Sequence, residues 1–104
     1  MKIKYDLDMD NEVIRENLKR IINQLYKLLP MREEGEDWRK PLSTLLEELS
    51  GMDRLFFGQL PIFFSLLCKM EGLFVLTEEE DFQCFRRTIF ECLSLLEKLK
   101  SCLI

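Results

Sequence analysis

The chain opens on strict alternation: Ile3, Tyr5, Leu7 and Met9 are apolar, and Lys2, Lys4, Asp6, Asp8 and Asp10 are charged. Period two marks a half-buried strand, so residues 1–9 are expected to be extended. A lone strand needs partners for its backbone N–H and C=O groups. The sheet edge of another copy or another protein would supply them, or the segment packs its apolar side on the bundle. From Asn11 the period lengthens. Ile14, Leu18, Ile21, Leu25 and Leu28 repeat at four and three residues, predicting an amphipathic helix from about Asn11 to Leu29. Asp10 or Asn11 serves as its cap and Pro30 as its stop. Residues 31–40 are polar, acidic and broken by Gly35, which reads as a loop; Trp38 lies near its end. Leu42, Leu45, Leu46 and Leu49 predict a second helix over Pro41–Ser50, stopped by Gly51.

Residues 55–76 hold five of the eight phenylalanines. A short helix near Asp53–Phe57 and a longer one from Pro61 to about Glu71 are expected. The second is apolar nearly all round, as in a central buried helix or an interface. Gly58, Pro61, Lys69 and Glu71 interrupt it, which rules against a membrane span of about twenty apolar residues. Thr77-Glu78-Glu79-Glu80 has the form of a capping box. Phe82, Phe85, Ile89, Cys92, Leu96, Leu99 and Leu103 then step by three and four, predicting a last helix. The expected fold is all-α: one domain over residues 1–104, a bundle of about four helices with a short N-terminal extended strand.

The composition suits such a core. Of 104 residues, 47% are hydrophobic and 33% charged, too apolar for a disordered chain. The net charge of −4 argues against non-specific binding to nucleic acid or anionic membranes. There is no histidine, which removes the commonest general base and Ser-His or Cys-His nucleophile pairs. Cys68, Cys84, Cys92 and Cys102 form no C-x-x-C pair and read as reduced thiols of a cytoplasmic protein. The first residues show no apolar run of the signal-peptide kind.

Candidate chemistry is sparse. Asp6, Asp8, Asp10 and Asn11 start like a calcium loop, but the glycine position is Asn11 and the last ligand position is Asn17. Two acidic clusters, Glu33, Glu34, Glu36 and Asp37, and Glu78, Glu79, Glu80 and Asp81, are candidate magnesium ligands. The first sits in a loop and the second in a first helical turn, where acids are favoured by the dipole. A magnesium-dependent all-helical nucleotide hydrolase is therefore the third-ranked reading. Helix two, Ser50-Gly51-Met52 and the next helix have the outline of a helix-turn-helix. Its second helix offers one arginine, Arg54, among Leu55, Phe56 and Phe57, so a DNA-contacting transcription or replication regulator ranks second. Arg15, Lys19 and Arg20, with Arg86 and Arg87, would bind phosphate only if folding set the two groups side by side.

The leading reading is a non-enzymatic interaction protein with no catalytic residue, metal or cofactor. Tyr5, Leu7, Trp38, Phe56, Phe57, Phe63 and Phe64 are the candidate interface residues, being aromatic or apolar side chains in the segments that stand out. Self-association is expected from the unpaired strand and the phenylalanine excess. The block Asp8-Met9-Asp10-Asn11-Glu12-Val13-Ile14-Arg15-Glu16-Asn17-Leu18-Lys19-Arg20, running on to Met31-Arg32-Glu33-Glu34-Gly35-Glu36-Asp37-Trp38, resembles small proteins carried by phages and integrative elements of gut Firmicutes. That group includes inhibitors of bacterial defence systems, CRISPR nucleases among them. The resemblance implies a host or phage protein as partner and carries over no functional residue.

Overall fold

A computed structural model describes residues 11–54 and 61–101. They form four helices: α1 (Asn11–Glu33), α2 (Arg39–Met52), α3 (Pro61–Gly72) and α4 (Phe82–Ser101). Tight single turns at Leu73–Val75 and Glu79–Asp81 join α3 to α4. The all-α bundle is as expected, and no strand occurs among the described residues. The N-terminal extended segment and most of the short helix expected near Asp53–Phe57 lie outside the described residues.

Contacts between helices give the direction of each. Arg32 of α1 lies over Phe85 of α4, and Tyr26 of α1 meets Phe90 further along α4, so these helices run antiparallel. Lys69 of α3 reaches Glu91 of α4 at 3.5 Å, and Arg20 of α1 pairs with Glu48 of α2. The bundle therefore goes up, down, up, down, with sequence neighbours antiparallel. Its core is the predicted stripes brought together. Ile14, Leu18, Ile21, Leu25 and Leu28 meet Leu42, Leu45 and Leu49, then Phe63, Leu66 and Met70, then Phe85, Ile89, Cys92, Leu96 and Leu99, all buried.

Three helix ends differ from expectation. Pro30 lies inside α1, which runs on to Glu33. Proline has a helical φ but forfeits its own N–H bond and crowds the carbonyl four residues back, while its own carbonyl still accepts the Glu34 N–H at 2.9 Å. The true stop is Gly35, at φ +75°. Its N–H donates to Arg32 O at 3.2 Å and that of Glu36 to Met31 O at 2.8 Å, the two-bond glycine cap that closes many helices. Gly51 does not stop α2. The helix passes through it, and the Asp53 N–H donates to Leu49 O and Ser50 O. Gly51 costs about 1 kcal/mol relative to alanine, but Leu49 before it and Met52 after it both pack on the core. At α4 the cap sits one residue later than the Thr77 reading, the Glu78 N–H donating to the Asp81 carboxylate at 3.2 Å.

The apolar helix α3 resolves into two faces. Phe63, Leu66 and Met70 are fully buried, while Phe64 is 72% exposed. Phe63→Ala should cost about 3–5 kcal/mol by cavity formation, and Phe64→Ala should stay within about 0.5 kcal/mol. Urea denaturation of both variants measures the contrast.

Cys92 is a core thiol. Burial pushes it from 9.0 up to about 12, the nearby Lys69 ammonium opposing and Glu91 adding to the rise. The folded chain thus keeps a proton that the unfolded chain releases above pH 9. The stability from this site is intact below pH 9 and is lost as pH rises toward 12. The urea midpoint should fall over that window, and less steeply in Cys92→Ala. At pH 8, a maleimide should label the exposed Cys68 and Cys84 and reach Cys92 only on unfolding.

Candidate functional site

The loops at one end of the bundle are gathered by Arg32. Its guanidinium donates from one Nη to the carbonyls of Leu76 at 2.8 Å and Glu78 at 2.7 Å. It also lies 4.8 Å from the Phe85 ring centroid and 5.3 Å from that of Phe82. The arginine projects from the end of α1 because that helix continues past Pro30. Trp38 stands beside it, 6% exposed, just before α2. Its ring meets Phe85 edge-on at 4.9 Å and stacks near Phe74 at 6.4 Å. Arg39 covers Trp38, with its guanidinium 5.0 Å from the ring. Arg32 Nε is buried without a hydrogen-bond partner.

Above this cluster opens a cleft of about 860 Å³. Arg32, Glu33, Gly35, Glu36, Trp38 and Arg39 form one wall, and Thr77, Glu79, Glu80, Phe82 and Gln83 the other. Two acids from each cluster noted in the sequence, Glu33 and Glu36 with Glu79 and Glu80, thus line one opening, although they lie more than forty residues apart. Periodicity carries no such information, since the pairing depends on the antiparallel setting of α1 and α4 and on Arg32 holding residues 76–78. Among the described residues no group of three or more His, Cys, Asp or Glu side chains is arranged to hold a metal ion. The cleft lining holds four glutamates, Glu33, Glu36, Glu79 and Glu80, together with Arg32 and Arg39 and the Trp38 and Phe82 rings.

The interface candidates divide. Phe63 is fully buried and Trp38 nearly so, so of the core and interface alternatives both take the core one. Phe63 falls on the inner stripe of α3, and Trp38 is enclosed by Phe74, Phe85 and Arg39. Phe64 is exposed. Tyr5, Leu7, Phe56 and Phe57 lie outside the described residues. The two basic groups are not side by side. Tyr26 and Phe90 mark one level of the bundle; Arg20, the nearer end of the first group, lies below it and Arg87 of the second above, roughly 14 Å apart along the axis. Arg15 pairs with Glu12, Arg20 with Glu48, and Arg86 rests on Phe90.

No protein-family model matches the chain, and neither a curated protein nor a solved structure matches it significantly. Among the described residues no helix is long and apolar enough to cross a membrane.

Arg32→Met should destabilise the chain by about 2–4 kcal/mol, because two charge-assisted bonds to backbone carbonyls are lost. Arg39→Met, which removes an exposed cation from the Trp38 ring, should cost about 1 kcal/mol or less. Thermal melts of the two variants test this ordering.

Proposed function

We propose that this chain is a non-enzymatic protein-binding module whose cleft receives a basic segment of its partner. The observation that carries this reading is the convergence of Glu33 and Glu36 with Glu79 and Glu80 over the Trp38–Phe82 floor. A partner lysine or arginine would place its charge among the carboxylates and its aliphatic stem along the half-buried Phe82 ring. Arg39 over Trp38 displays the same contact within the chain. The net charge of −4 favours long-range attraction of a basic partner.

Proteins that hold nucleic acid in positively charged channels present such segments. The resemblance to phage and mobile-element proteins makes a host defence nuclease of that kind the first partner to test, with this chain as its inhibitor. The DNA-regulator reading has less support, because the basic groups are separated and largely engaged. The hydrolase reading also has less, because the acidic side chains do not group as metal ligands.

A fluorescein-labelled twelve-residue Arg/Lys-rich peptide, followed by anisotropy at low salt, is the direct probe. It should bind the native chain, and a quadruple Glu→Gln variant at residues 33, 36, 79 and 80 should bind about tenfold more weakly. A charge-matched quadruple Glu→Gln variant at residues 12, 16, 91 and 97 should keep most of the affinity. No binding, or equal loss in the two variants, would overturn the assignment of the cleft.

A further inference from the structure

The two arginines of the cleft are held very differently. Arg32 is fastened by two carbonyls and two rings. Arg39 is exposed. Among the described residues its guanidinium makes neither an ion pair nor a hydrogen bond, and the Trp38 ring is what holds it, 5.0 Å from the centroid. A cation over a ring at an exposed site is favoured only a few-fold over the open alternative. One of the two cations is therefore part of the frame, and the other is replaceable.

The place that Arg39 takes is also the place of a ligand. It lines the cleft together with Glu33, Glu36, Glu79 and Glu80, so its charge sits where a partner's charge would enter. The Trp38 ring beneath it packs on Phe74 and Phe85 and is 6% exposed with Arg39 in place. A partner's side chain thus meets the half-buried Phe82 ring directly, but meets Trp38 only after Arg39 has left. A second cation brought onto the same ring face comes close to the first, and like charges repel.

We propose that Arg39 is an internal stand-in for the partner, covering the Trp38 face of the cleft until an arginine of the partner displaces it. The proposal rests on the reading of the cleft as the site of a basic segment. Arginine is the residue that replaces it in kind, because a guanidinium restores both the flat stacking and the charge, whereas an ammonium restores only the charge. Binding to the native chain is weakened by the fraction of molecules in which the cleft is closed.

Two fluorescein-labelled twelve-residue probes of equal charge, one arginine-based and one lysine-based, test this by anisotropy at low salt. They are titrated into the native chain, Arg39→Ala and Lys40→Ala. Lys40 is exposed and lies outside the cleft lining, so its variant measures the general gain from a more negative chain. The arginine probe should bind Arg39→Ala about fivefold more tightly than the native chain, and Lys40→Ala less than about twofold more tightly. The lysine probe should gain about twofold or less from either variant. Trp38 is the single tryptophan, so acrylamide quenching of its emission reads how well it is covered. Quenching should be stronger in Arg39→Ala than in the native chain, and saturation with unlabelled arginine probe should return it to the native level. Equal gains in Arg39→Ala and Lys40→Ala, or Trp38 quenching unchanged in Arg39→Ala, would overturn the displacement and leave the cleft reading standing. Failure of both probes to bind any of the three chains would overturn both.

Discussion

The contact on which the upper end of this bundle depends is the guanidinium of Arg32 on the carbonyls of Leu76 and Glu78. These carbonyls belong to the segment between α3 and α4, and that of Glu78 also accepts the Asp81 N–H at 2.9 Å. A charged donor meets both, and its planar face simultaneously covers Phe82 and Phe85. A lysine ammonium could donate to both carbonyls but has no flat face to lay over the rings. The turn is thereby held against the end of α1, and the acidic residues on either side are held in opposition. Carboxylates gathered at one opening repel one another, and this arginine together with Arg39 offsets part of that repulsion.

Much of the architecture is legible in the sequence because burial and periodicity coincide. Ile14 through Leu28, Leu42 through Leu49, and Phe85 through Leu99 are stripes at helical spacing, and those stripes are the core. The helix ends are less legible because local signals compete with packing there. Pro30 and Gly51 are both strong stop signals, and both are overridden by side chains further on that find partners: Met31 and Arg32 in the first case, Met52 in the second. Gly35 is the stop that acts, since its left-handed φ lets two amides reach back to the last turn.

The site was legible only in fragments. The two acidic clusters and Trp38 stand out in the sequence, but their meeting does not, because it arises from pairing across forty residues and no local pattern encodes it. Trp38 shows the converse. A lone tryptophan at the end of a polar loop leaves core and interface both open, and here it is enclosed by Phe74, Phe85 and Arg39. Phe63 and Phe64 are adjacent and chemically identical; only the helical turn of 100° separates a core residue from a surface one.

That adjacency bears on how α3 is kept from turning about its own axis. A helix with phenylalanine on two neighbouring faces has rival settings in the bundle, and apolar burial alone discriminates weakly between them. One rival setting would carry Phe64, Leu67 and Glu71 inward; the other would carry Ile62, Ser65 and Lys69. Each would drag one charge out of water, at an effective cost of several kcal/mol. The Lys69–Glu91 pair, partly exposed at 3.5 Å, adds little as an attraction. The two charged residues of α3 serve instead as an index mark, leaving a nearly uniform apolar cylinder with a single orientation that seats well.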